Sequence, residues 1–177
     1  MGTGTVSERD ARMEALIPAL RRFAWSLSRN ADEADDLVQD SLANALGAWH
    51  QRHAEKDLRA WLFSILYNLH ISGRRRWARR SRLLGEALRF QDAATPSHGQ
   101  DAAVQCAQVL LQLDTLPEEQ RAVLLLVGVE GLSYEEAARV LDIPAGTVMS
   151  RLARGRERLR RMAEGQPAPA SRLRRVV

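Results

Sequence analysis

A chain of 177 residues has room for one ordinary domain or two small ones. An apolar fraction of 45% excludes wholesale disorder, and Cys106, the only cysteine, excludes an internal disulfide and fits a reducing compartment. The formal charge of +4 is modest but unevenly laid out: acids crowd Asp32 to Asp40, while arginines crowd Arg74 to Arg82 and Arg151 to Arg161. Such segregation points to two kinds of partner. Lys56 is the one lysine, and arginine suits bidentate contacts with phosphates and guanines, although a GC-rich genome gives the same bias. No signal-peptide pattern and no apolar run of membrane-spanning length are visible, so the expected location is the cytoplasm, without direct membrane insertion.

Taken in chain order, Met1 to Asp10 reads as a flexible lead-in. A helix is expected over Ala11 to Arg29, with Leu16, Leu20, Phe23 and Leu27 on one stripe. Asn30 to Asp36 marks a second helix start, with acids where the macrodipole favours them. Val38, Leu42, Ala45, Leu46 and Trp49 should face inward from it. After a polar connector, a third helix runs from Asp57 to about Arg80, with Leu58, Leu62, Ile65, Leu66 and Leu69 as its core stripe. The run Ser81 to Asp101 reads as a linker, its second half having turn and disorder composition. Helical pattern resumes at Ala102, with Val104, Leu110, Leu111 and Leu113, and Cys106 falls in this stretch as a buried structural thiol. Leu116-Pro117-Glu118-Glu119 starts another helix, buried through Leu124, Leu125 and Val127 and stopped at Gly131. From Gly165 the tail has a disordered composition.

The stretch from Gly131 to Arg161 carries the most information. Ser133 and Glu136 have capping-box spacing. Ala137 and Ala138 are small enough to let helices cross closely, and Asp142-Ile143-Pro144 ends the first helix, because the residue before proline avoids the α region. A second helix starts near Ala145. Val148, Leu152, Gly155, Leu159 and Met162 give it a core face, while Thr147, Arg151, Arg154, Arg158 and Arg161 form a separate stripe. This is a helix-turn-helix whose second helix could lie in a major groove. The plain alternative is a surface helix with a solvated charged face.

Leu132-Ser133-Tyr134-Glu135-Glu136-Ala137-Ala138, Gly146-Thr147-Val148 and Ser150-Arg151-Leu152 resemble the promoter-reading domain of bacterial sigma factors, the one that binds the minus-35 element. A lone motif of this kind would equally suit a LuxR-type regulator or a small repressor. Three features of the N-terminal half discriminate. Asp35-Asp36-Leu37-Val38-Gln39-Asp40 resembles the sigma segment that docks on the clamp helices of RNA polymerase, with Asp36, Gln39 and Asp40 on one polar face. Arg59 to Asn68 resembles the helix that, with its neighbouring loop, captures unpaired minus-10 bases in relatives, and Asn68 is the matching amide. Trp61 is better read as core, and Asn68 as a surface amide is the competing view. Arg74, Arg75, Arg76 and Trp77, with Arg79 and Arg80, suit phosphates and a stacked base, against a generic solvated run. Ser72 departs from the family's frequent Asp, and Asp142 stands where many such motifs carry glycine.

Both halves resemble one family in the right order, with no room between them for the extra domain of housekeeping sigma factors. The layout resembles that of ECF (extracytoplasmic function) sigma factors of the sigma-70 family. The resemblance implies an all-α fold of two small helical domains, a sigma region 2 bundle and a sigma region 4 helix-turn-helix, joined by a flexible linker. The expected limits are 11–82 for the first domain, 83–101 for the linker, 102–163 for the second domain and 164–177 for the tail. It implies minus-35 contacts by Thr147, Ser150, Arg151, Arg154 and Arg158, and minus-10 contacts by Asn68, Arg74, Arg75, Arg76 and Trp77. It implies polymerase contacts by Asp36, Gln39 and Asp40. The implied partners are core RNA polymerase, promoter DNA and an anti-sigma factor. No cofactor, metal site or catalytic constellation is expected; His50 and His53 lack further ligands nearby. The alternatives are a stand-alone helix-turn-helix regulator and an adaptor that binds anti-sigma factors without touching DNA.

Overall fold

A computed structural model describes residues 6–51, 57–84, 113 and 115–164. The expected helix from Ala102 to Leu111, the second half of the linker, Cys106, His53 and the tail lie outside the described residues. Every regular element among them is helical.

The N-terminal half is a bundle of α1 (Val6–Glu14), α2 (Ile17–Ser28), α3 (Ala31–Gly47) and α4 (Leu58–Leu84), with a 3₁₀ turn at Trp49–Gln51. The single helix expected over Ala11 to Arg29 is two. Pro18 is the cause: it has no N–H to donate and its ring crowds the carbonyl four residues back, so it sits in the first turn of a fresh helix. The lead-in is also shorter than its composition suggests, since α1 begins at Val6. Arg29, at φ +57°, ends α2, and the Asn30 side chain then accepts from Glu33 N at 3.1 Å to open α3.

Leu20, Phe23, Leu62, Phe63 and Leu66 are fully buried where α2 meets α4, and Phe23 and Phe63 meet edge to face at 5.2 Å. Val38 and Ala45 face inward from α3, and Trp49 packs edge to face on Trp61 at 6.0 Å, which gives Trp61 the core role expected of it. Leu46 does not face inward: it is 44% exposed, because it lies one residue past the buried Ala45 on the turn that leaves the bundle.

The C-terminal half contains α5 (Glu118–Val123), which continues as a π-helical turn over Leu124–Val129, then α6 (Tyr134–Leu141) and α7 (Ala145–Ala163). The wider turn is seen in Glu130 N donating to Leu125 O at 2.8 Å, and it ends at Gly131, whose φ of +70° suits a residue without Cβ. Val123, Leu124, Leu125, Leu126, Ala137, Val140, Val148 and Leu152 form the core here.

The two halves pack on each other, α4 against α6 and α2 against α5.

Candidate nucleic-acid interface

The helix-turn-helix is built by local chemistry. Ser133 Oγ accepts from Glu136 N at 3.2 Å, and Glu136 Oε2 accepts from Ser133 N at 2.7 Å, closing the capping box. The Ser133 backbone and side-chain bonds hold the Glu136 carboxyl below the usual carboxylate range. Asp142 takes φ +52°, and Ile143 N reaches back to Ala138 O at 3.1 Å. Pro144 then caps α7, its carbonyl receiving Thr147 N at 2.9 Å and Val148 N at 3.2 Å.

Val148, Leu152 and Gly155 bury one face of α7. A Cβ at Gly155 would lie 2.7 Å from Leu124 Cδ1 of the π-helical turn, so any larger residue there requires the Leu124 side chain to shift. The expected arginine stripe divides. Ser150 and Arg154 are exposed, and the Ser150 hydroxyl donates to Thr147 O at 3.0 Å. Thr147 and Arg158 are half-buried. Arg151 is turned toward α5, with 21% of its side chain exposed and Nη2 2.8 Å from Glu119 Oε2. Arg161 bonds Glu157, which Arg160 also holds; hydrogen bonds from Arg161 and then Arg160 lower the Glu157 carboxyl.

In the other half, α4 runs on well past the core. Asn68 is exposed, and so are Arg74, Arg75, Arg76, Arg79 and Arg80; Trp77 is 40% exposed. They form one continuous helical projection rather than a loop. Arg74 is also engaged, ion-paired to Glu118 of α5, while His70 Nε2 lies 3.2 Å from the other Glu118 oxygen. Burial pushes the Glu118 carboxyl up, but the His70 hydrogen bond and the Arg74 charge outweigh it and leave the group lowered. Tyr67 sits beside this cluster, and its hydroxyl is raised by burial first and by the Glu118 charge second. On α3, Asp36, Gln39 and Asp40 are all exposed on one polar face, with Asn44 one turn further on.

Sequence reasoning missed the groups that join the halves. Glu130 is buried, its side chain 1% exposed, between Arg22 of α2 and Arg59 of α4. Arg22 Nη2 lies 2.9 Å from Glu130 Oε1 and its Nε 3.1 Å, while Arg59 bonds Oε2. Partners separated by 108 and 71 positions leave no periodic signal; an acid among apolar neighbours, Leu124 to Leu132, was the one available hint.

A helical bundle with a projecting basic helix, joined to a capped helix-turn-helix, defines a two-part DNA-binding transcription protein. Comparison gives the family. Residues 106–159 match the family description "Sigma-70, region 4", and residues 13–67 match "Sigma2 domain of PhyR". The chain is 41% identical over 145 residues to the ECF RNA polymerase sigma factor EcfG of Rhodopseudomonas palustris, covering 82% of this chain and 79% of that one. It is 31% identical over 164 residues to the ECF RNA polymerase sigma factor SigC of Mycobacterium tuberculosis, covering 88% and 84%. Among solved structures, the sigma factor RpoE of Bartonella quintana, crystallised with the anti-sigma factor NepR, superposes with a TM-score of 0.78 at 33% identity, over 90% of this chain and 98% of that one. CnrH, solved with the cytosolic domain of CnrY, gives 0.67 at 25% identity, over 93% of each. The chain belongs to the ECF sigma factors of the sigma-70 family. It is an alternative sigma factor for RNA polymerase, not a stand-alone regulator. The relatives are sigma factors, which are not enzymes, and no helix among the described residues is long and apolar enough to cross a membrane.

Proposed function

We propose that the two halves divide promoter recognition, with α7 reading the minus-35 duplex and α4 holding the opened minus-10 strand. The observation that carries this is the pair of exposed basic surfaces, one on each half: Ser150 and Arg154 on the second helix of the helix-turn-helix, and Asn68 with Arg75 and Arg76 on the projecting end of α4. Arg154 supplies a guanidinium for a base edge or phosphate; Ser150, Thr147, Arg151 and Arg158 flank it. Arg74 and Arg151 join the DNA surface when they exchange their carboxylates for phosphates. Trp77 offers a stacking surface, and Asn68 an amide for a base edge. Asp36, Gln39 and Asp40 form the face offered to core polymerase. An anti-sigma factor completes the set of partners; the complexes of RpoE with NepR and of CnrH with CnrY support that assignment.

Two pairs of measurements test the division. Asp36→Arg and Asp40→Arg should weaken capture of core polymerase with thermal stability nearly unchanged, since both side chains are exposed in the interior of α3 and such surface substitutions usually stay within about 0.5 kcal/mol. Undiminished capture by both variants means that this face is only solvated. Asn68→Ala should leave duplex binding nearly unchanged and reduce permanganate reactivity of melted thymines. If it matches the parent chain both there and on a template already opened at minus-10, Asn68 has no part in base capture.

A further inference from the structure

Four large apolar side chains stand exposed among the described residues, and Met149, at 50% exposure, is the one carried by α7. A single exposed methionine on a surface is ordinary. This one is distinguished by its address. Gly146, Met149, Ser150 and Ala153 fall at i, i+3, i+4 and i+7, so they share one helix face, and all four are exposed. That face is opposed to buried Val148 and Leu152 and lies in the N-terminal half of the second helix, the part such a motif turns toward base edges. Its other members are short. Gly146 has no side chain, Ala153 has a methyl, and the Ser150 hydroxyl is held by Thr147 O. Met149 therefore reaches furthest from the helix into whatever the face meets. Arg154, one turn beyond Ser150 on the flank of this face, is exposed and sets the charge of that occupant as negative.

We propose that Met149 is a specificity-determining residue, making apolar contact with the C5 methyl of a thymine in the minus-35 element. Thymine alone among the bases presents a methyl in the major groove. An unbranched thioether fits such a contact, since it adapts its rotamer to a small apolar target. The inference rests on the reading of α7 as the duplex-reading helix, and it adds base choice to that reading: arginine supplies guanine contacts and affinity, and methionine a preference for thymine at one position.

Replacing thymine by uracil removes the methyl and leaves base pairing intact, so it isolates the contact. The full chain, assembled with core polymerase, is used to select binding sequences from a duplex library with a randomised block. The selected site is then remade with deoxyuridine at each thymine in turn. At one thymine the replacement should weaken binding about fourfold, the effect of one buried methyl group. Met149→Ala should bind the thymine and uracil sites equally, and Met149→Leu should keep the discrimination. An equal uracil penalty in Met149→Ala, or no thymine sensitive to the replacement, overturns the proposal. A library that yields no enriched sequence, or enrichment untouched by Arg154→Ala, overturns the reading of α7 itself and takes this inference with it.

Discussion

Glu130 shows what a single charge does in this molecule. Its carboxylate is buried, yet both partners, Arg22 and Arg59, keep part of their side chains in water at 53% and 33% exposure. The acid has therefore lost its hydration and depends on the two guanidinium groups, while each arginine could be solvated without it. Glu130→Gln keeps the shape and one set of acceptors but removes the charge. The expected cost is about 1.5–3 kcal/mol, the range for hydrogen bonds to charged groups, read by urea denaturation. The loss should be visible in the full chain as a lower midpoint. An unchanged midpoint would mean that Arg22 and Arg59 contribute no net stability at this contact.

At the scale of elements, the helix-turn-helix owes its shape to groups within a few residues of one another. Ser133→Ala should destabilise the chain by about 1 kcal/mol, the usual worth of an N-cap. The cap also carries a pH signature. The folded Glu136 carboxyl is lowered from 4.5, so its stabilisation is present above that value and is lost as pH falls through the lower folded one. The stability difference between the parent chain and Glu136→Gln should accordingly shrink on acidification, and a constant difference down to strongly acidic pH would show that the carboxylate is not the capping group. Locality explains which elements could be read in the sequence. Ser133, Glu136, Asp142 and Pro144 act on their neighbours, so cap, turn and second helix lie where their spacing puts them. Pro18 acts locally too, but the stripe from Leu16 to Leu27 runs straight across its break and masks it. The π-helical turn at Leu124–Val129 has no marker in the apolar run that forms it. Leu46 looks like core on periodicity alone, and only the position at which α3 leaves the bundle exposes it. The arginine stripe was legible as composition; that Arg74 already holds Glu118 depends on packing between the halves, and that Arg151 holds Glu119 depends on how α7 packs on α5, neither of which sequence spacing records.

For the whole molecule, those ion pairs bear on the proposed DNA binding. In that proposal Arg74 and Arg151 join the DNA surface only by giving up the carboxylates they hold here, and the relation between α4 and α7 in this arrangement is fixed by protein contacts and not by promoter spacing. The free chain should therefore bind duplex promoter weakly and with steep salt dependence, while its complex with core polymerase binds tightly, because two sites held at the right separation act together. Footprinting both forms compares them directly; tight protection by the free chain over a palindromic site would contradict this. The most direct measurement is run-off transcription by core polymerase, with and without the chain, on the DNA upstream of its own gene. A transcript with a defined start that appears only when the chain is added, and that weakens in Arg154→Ala and Asn68→Ala, is the predicted result. Tight binding to that DNA without any polymerase-dependent transcript would contradict it.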